Sequence, residues 1–198
     1  GVWTQRGSKL VGSGAVGTAR QGYSVSLSAD GNTAIVGSLM AGAWIWTRNG
    51  GVWTQQGYLT SYYGDAVSLS ADGNTAIVGV LTGAYVWTRS GGLWTQQGSK
   101  LVGSGAVGTA WQGQSVFLSA DGNTAIVGGN GDNGNAGAAW VWTRSGGVWS
   151  QQGTKLVGSG AVGTAYQGSS VSLSGDGNTA IALPIEPLRQ LLTRFGRL

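Results

Sequence analysis

Six aspartates, set in repeated segments of a chain that contains no histidine and no cysteine, are nearly all that these 198 residues offer for reactive chemistry. Without imidazole a Ser-His-Asp arrangement is impossible, and without thiols there are no disulfides, thiolate metal sites or cysteine nucleophiles. Four of the aspartates, Asp30, Asp72, Asp121 and Asp176, head equivalent Asp-Gly-Asn-Thr runs. Calcium takes roughly six to eight oxygens, usually with several carboxylates among them. One carboxylate per loop, followed by Gly and Asn, therefore reads as a turn former, with calcium binding as the alternative. Only Asp65 and Asp132 depart from this pattern. A glycosidase needs two carboxylates flanking one bond, and no such pair, nor any other catalytic constellation, can be nominated.

A second motif matches chemistry only in letters. Gly12 to Gly17, Gly103 to Gly108 and Gly158 to Gly163 each fit GxGxxG. A dinucleotide fingerprint needs a helix to begin there, so that its amides and dipole meet the pyrophosphate. Here Thr-Ala-x-Gln-Gly and an alternating strand pattern follow, and the second copy deletes the motif altogether. It reads as a linker, with no cofactor.

The elements that carry these residues are repeats. A Gly-Val/Leu-Trp-Thr/Ser-Gln segment places Trp3, Trp53, Trp94 and Trp149 at spacings of 50, 41 and 55 residues, interleaved with the four aspartate runs. The differences reduce to a deletion between Gln56 and Val67 and an insertion around 130–137, and changes of length that spare the flanking motifs belong in loops. Each repeat predicts four short strands. Tyr23 to Ser28 alternates apolar and polar residues with the period of a strand. Asp30-Gly31 supplies the turn, setting Leu27 opposite Ala34 and Val25 opposite Val36. A second hairpin with its two-residue turn at Asn49-Gly50, Ser90-Gly91 or Ser145-Gly146 would pair Trp46 with Trp53, Trp87 with Trp94 and Trp142 with Trp149. Trp44, Tyr85 and Trp140 fall on that same face. A row of rings invites stacking on sugars, but one repeated place inside a hairpin reads as packing between sheets.

Four antiparallel strands every 40 to 50 residues or so is the period of β-propeller blades, and the fold class expected is an all-β propeller of about four blades, in a complete or an incomplete ring. The blades are expected at 22–58, 64–101 and 113–157, with a partial blade at 168–183 and a fourth strand at 1–11. The run Gly113-Gln114-Ser115-Val116-Phe117-Leu118-Ser119-Ala120-Asp121-Gly122-Asn123-Thr124-Ala125-Ile126-Val127-Gly128, followed by Gly137-Ala138-Ala139-Trp140-Val141-Trp142, resembles an FG-GAP repeat, the blade of integrin-α-type propellers, in a Trp-rich form similar to that of bacterial exported proteins. The resemblance spans about residues 1–182. It implies a propeller that presents loops to partners and, in many members, binds calcium through an Asp-rich loop. The chain departs from the pattern in both motifs: Phe-Gly is replaced by Gln21-Gly22, Tyr63-Gly64, Gln112-Gly113 and Gln167-Gly168, and Gly-Ala-Pro is only echoed by Val36-Gly37-Ser38.

Composition narrows the function classes. With 41% hydrophobic residues, 39 glycines and ten tryptophans but only 9% charged residues, the chain can bury a core. The net charge of +4 includes a tail with Glu186, Arg189, Arg194 and Arg197, which leaves +2 for the repeats. Arg48, Arg89 and Arg144 come singly, which argues against nucleic acid as a partner. No apolar run reaches the roughly 18 residues of a membrane span. The tail at 184–198, with Leu188, Leu191, Leu192 and Phe195 spaced i, i+3, i+4, i+7 behind Pro187, predicts a short amphipathic helix. It also leaves the last blade without a third strand.

Variation among the copies gives the candidate site. In Thr-Ala-x-Gln-Gly the frame is nearly constant while x is Arg20, Trp111 or Tyr166, with Tyr62 matched by alignment from the following Gly64. A buried position would hold its volume, so these residues, with Asp132 and Asn133 of the inserted loop, are expected to line a ligand-facing rim. The function expected is a non-catalytic, secreted or cell-surface module for protein or carbohydrate binding. The alternatives are a non-catalytic propeller part of a larger hydrolase, and a structural repeat piece of a longer protein that self-associates through open blade edges.

Overall fold

The computed structural model describes residues 1–5, 7–14, 18–59, 64–159, 163–183 and 193–196. Its strands form four antiparallel sheets in sequence order: β1(Gln21–Leu27) to β4(Val52–Tyr58), β5(Ala66–Leu69) to β8(Leu93–Gln96), β9(Ser115–Leu118) to β12(Val148–Gln151), and a three-stranded sheet of β13(Ser170–Leu173), β14(Thr179–Leu183) and β15(Thr193–Gly196). The architecture is all-β and propeller-like. Its first strands β1, β5, β9 and β13 lie side by side along the array.

Blades 1 to 3 each have two apolar faces because the second strand and the start of the third carry apolar side chains on both sides. In blade 1 one face carries Val25, Leu27, Ala34 and Val36, and the other carries Ile35, Ala43 and Ile45. The second face packs on Val67, Leu69, Ala76 and Val78 of blade 2. Blade 2 repeats the arrangement with Ile77 and Val86 against Val116, Leu118, Ala125 and Val127. Blade 3 does so with Ile126 and Ala139 against Val171, Leu173, Ala180 and Ala182. Polar groups fix the alignment of this packing: the hydroxyls of Ser24 and Ser26 accept the Val67 and Leu69 N–H groups at 3.1 and 3.0 Å, and Ser68 accepts that of Leu118 at 3.1 Å.

The first hairpin has the predicted register, with Leu27 opposite Ala34 and Val25 opposite Val36. The second hairpin does not. Its turns are Gly50-Gly51, Gly91-Gly92 and Gly146-Gly147, both residues of each pair at positive φ, the mirror-image turn that matches strand twist and that glycine enters without a Cβ clash. Asn49 therefore pairs with Val52, and Trp53 lies opposite Arg48 while Trp46 lies opposite Gln55. The tryptophans of each hairpin are diagonal neighbours on one face, and the directly opposed residue is an arginine whose guanidinium sits 5.5, 5.5 and 5.3 Å from the ring centres of Trp53, Trp94 and Trp149.

Two further expectations are corrected. Gly1–Gln5 forms no strand, and Trp3 is fully exposed. In the tail, Thr193–Gly196 is a strand on β14 rather than the end of a helix, so blade 4 does have a third strand; 184–192 lies outside the described residues. A helix of about ten residues is marginal alone, whereas the free edge of β14 offers backbone partners to any nearby segment.

The linkers are pinned by indoles. Trp44 and Trp140 are fully buried and donate their Nε1–H to the Ser13 and Ser104 carbonyls, both at 2.8 Å. Gly12 and Gly103 lie so close that a Cβ on either would enter the facing indole. The first glycine of the GxGxxG match is thus a contact requirement against tryptophan. Gly103→Ala is expected to cost about 1–3 kcal/mol by overpacking, read as a lower urea midpoint with an unchanged m-value.

Candidate functional site

Thr-Ala-x-Gln-Gly leads into blades 1, 3 and 4. Its glutamine is clamped to the linker: Gln112 Oε1 accepts the Gly103 N–H at 2.5 Å and its Nε2 donates to the Gly103 carbonyl at 2.8 Å. Gln21 holds Gly12 in the same way at 2.7 and 2.8 Å, and Gln167 holds Gly158 at 2.6 and 3.3 Å. The preceding alanine faces inward too, with Ala110 buried. Locked on both sides, the middle residue is forced into the left-handed region: φ is 49° at Arg20, 50° at Trp111 and 52° at Tyr166. Bulky residues adopt that region rarely and at a cost of order 1–3 kcal/mol, and such conformations concentrate at functional sites.

The inserted loop brings two of these residues together. It is a single irregular turn at Asp132–Asn135, with Asn133 and Gly134 left-handed. On one side Trp111 packs over Gly131, and on the other the Tyr166 N–H donates to the Asn135 carbonyl at 2.8 Å. Trp111 is 42% exposed, Tyr166 half-buried and Asn133 exposed. Arg20 occupies the corresponding place on blade 1, away from this loop, and Tyr62 lies outside the described residues.

Asp132 departs from the expected rim. It is completely buried, where its carboxylate accepts the Val107 N–H at 2.7 Å and pairs with Lys155. It anchors the inserted loop to the linker, and its neighbour Asn133 reinforces this by donating its N–H to the Val107 carbonyl at 2.9 Å. Asn135 and Lys155, which complete the loop, were not singled out from sequence. Asn135 carries one signal there, since its Asn-Gly-Asn setting favours left-handed backbone.

The four turn aspartates share one geometry. Asp121 accepts the Ser119 hydroxyl at 2.5 Å and the Asn123 N–H at 2.9 Å through Oδ1, and the Asn123 amide at 3.1 Å through Oδ2. Asp30, Asp72 and Asp176 do the same with Ser28 and Asn32, Ser70 and Asn74, and Ser174 and Asn178. Ser119 in turn accepts the Thr124 N–H, closing the turn. Both oxygens of each carboxylate are thus engaged within its own turn. Among the described residues no three His, Cys, Asp or Glu side chains come together as a metal site.

At Asp121 burial pushes the carboxyl pKa up, but the Ser119 and Asn123 hydrogen bonds and the Arg144 charge outweigh it and hold the group below the ordinary aspartate range. Asp72 behaves alike, with Ser70, Asn74 and Arg89 in those roles. Burial raises Asp65 instead.

No family model matches the chain. No curated protein matches it in sequence. Among solved structures it is similar to Kuenenia stuttgartiensis hydrazine synthase, with a TM-score of 0.63 and 18% identity over 95% of this chain. The chain spans 49% of that chain's length. At this identity the likeness is one of fold. Among the described residues no helix is long and apolar enough to cross a membrane.

A depressed carboxyl pKa stabilises the fold above the unfolded value of about 3.9 and loses that contribution as pH falls through the lower folded value. Asp121→Asn is therefore expected to lower stability at pH 7 by about 1 kcal/mol. The difference from the unsubstituted chain should shrink towards zero below pH ~3, measured by urea unfolding across the acid range. Added calcium is expected to leave the thermal midpoint of the unsubstituted chain unchanged.

Proposed function

We propose that the chain is a non-catalytic binding module that presents the blade-entry segments and the inserted loop to a protein or carbohydrate ligand outside the cell. One observation carries this reading. Arg20, Trp111 and Tyr166 hold one costly left-handed conformation at one repeated place, and the clamp on either side turns an otherwise variable side chain outward. Glycine would fill the position without strain, so the large side chains have a use that the turn does not explain. The resemblance of the Gly113 to Gly128 run to FG-GAP repeats supports the same reading, because propellers of that family offer such loops to partners.

Of the two ligand classes, carbohydrate suits the Trp111 region better. An indole with an open face, an exposed carboxamide at Asn133 and a second ring at Tyr166 combine a stacking surface with polar groups able to orient hydroxyls.

The test separates binding from folding. Trp111→Gly relieves the left-handed strain while removing the ring, so its unfolding midpoint should stay within about 1 kcal/mol of the unsubstituted chain. Retention on immobilised glycans should fall about tenfold, near 1.4 kcal/mol of binding. If the chain binds glycans and protein extracts no better than Trp111→Gly does, the reading fails.

A further inference from the structure

The segments that carry Trp111, Asn133 and Tyr166 are almost without charge. Across residues 101–120, 122–143 and 156–175 there is no lysine or arginine, and Asp132 is the one acid. Its carboxylate is completely buried and paired with Lys155, whose side chain is 19% exposed. The two charges cancel beneath the inserted loop.

The pairing is particular to this blade. Leu59, Leu101 and Leu156 each donate their N–H to the carbonyl of Ala43, Ala84 or Ala139, so the residue before each leucine comes up against the loop between the second and third strands of its own blade. In blade 1 that residue is Tyr58, whose hydroxyl accepts the Gly42 N–H at 3.2 Å. In blade 2 it is Lys100, which donates to the Thr82 hydroxyl at 2.8 Å. Both of those partners are neutral. In blade 3 the inserted loop supplies a carboxylate and takes the whole charge of the lysine. The same carboxylate accepts the Val107 N–H of the preceding linker at 2.7 Å, so a single buried group ties the loop down on two sides.

A second, independent feature lies at the foot of the loop. Asn130 is buried and its Nδ2 donates to the Ser169 hydroxyl at 3.1 Å, while its Oδ1 has no partner among the described residues. Ser169 in turn donates to the Tyr166 carbonyl at 2.7 Å. The unmet group beside the rings is thus an acceptor, which favours O–H donors and repels anions.

We infer that the ligand of this region is an uncharged glycan, and that Asp132 and Lys155 are a positioning pair that seats the inserted loop and keeps the ground beneath the sugar neutral. The inference rests on the reading of Trp111, Asn133 and Tyr166 as the binding site. Rings stack on the apolar faces of a neutral hexose, and the Asn133 carboxamide serves its hydroxyls. A uronate or a sulfated sugar would instead lose its hydration against segments that hold no cation to compensate it.

Calorimetric titration of the whole chain with hexamers of glucose, mannose and N-acetylglucosamine, and with oligogalacturonate and oligoalginate of the same length, tests the ligand class. At least one neutral hexamer should bind about tenfold or more tightly than either acidic one. Its Kd should stay within about twofold between roughly 0.05 and 0.5 M salt, because screening acts on charged partners. Acidic oligomers that bind as tightly as neutral ones overturn the inference and leave the binding site standing. Binding of neither set, with protein ligands still retained through Trp111, also overturns this inference alone, and no binding of any kind overturns both.

The pair has its own test. Lys155→Met leaves the carboxylate buried without a counter-ion and should weaken the neutral ligand at least about tenfold. The double variant Lys155→Met with Asp132→Asn removes both charges, keeps an acceptor for the Val107 N–H, and should recover to within about threefold. Lys100→Met, the counterpart on blade 2, should bind like the unsubstituted chain. Unchanged binding in Lys155→Met, or a double variant as weak as the single one, overturns the positioning role. The comparison of neutral and acidic oligomers decides the ligand class even if Lys155→Met fails to fold.

Discussion

A sheet that is apolar on both faces cannot remain single in water, and every other feature of this molecule follows from that constraint. Ile35 and Ile45 on one side of a blade, and Val67 and Leu69 on the side that meets them, remove each other from solvent. The fold is therefore a stack of mutually dependent layers rather than one core with a surface around it. Polar groups add direction to this packing. Serine hydroxyls receive the free edge N–H groups of the next first strand, and the stacked Arg89 and Arg144 each span the seam to a threonine and a glutamine, so neighbouring blades can meet in one alignment only.

The connections obey a second constraint. A linker running over the fully buried Trp44 or Trp140 must expose its backbone to the indole, which admits glycine alone at Gly12 and Gly103. The backbone groups of those glycines, denied a strand partner, are satisfied by the side-chain amides of Gln21 and Gln112. That clamp fixes the residues before and after a variable position and leaves the position itself turned out. Structure and variability are thus adjacent by necessity: the more firmly Gln112 is held, the freer Trp111 is to differ from Arg20.

Much of this was legible in the sequence because the repeats report on one another. Strand period, blade order, the first hairpin's register and the linker nature of the glycine motif all follow from patterns seen several times. The second hairpin was misread by two residues because Asn-Gly and Gly-Gly are both good two-residue turns, and only the strand pairing distinguishes them. The price of that misreading was the opposition of Arg48 to Trp53, invisible until the register is known. The tail failed for another reason: its helical spacing from Leu188 to Phe195 is a local preference, and a bare strand edge at β14 prevailed at Thr193–Gly196. Asp132 looked like a ligand-facing acid because its loop is rich in oxygen-bearing side chains, and its burial depends on Lys155, 23 residues along the chain.

The near-identity of the junctions bears on how the chain reaches its fold. Val67 with Leu69, Val116 with Leu118 and Val171 with Leu173 are close to interchangeable, so a blade has little means of recognising its proper neighbour by surface chemistry. Order must come from connectivity. A newly formed blade meets the one to which a short linker ties it at a much higher effective concentration than any other, and stacking then proceeds by nearest neighbours. The indole of Trp140, which seizes Gly103, shortens the tether between blades 2 and 3 further. It serves as a proofreading device for assembly, one that keeps a chain of look-alike layers from shuffling.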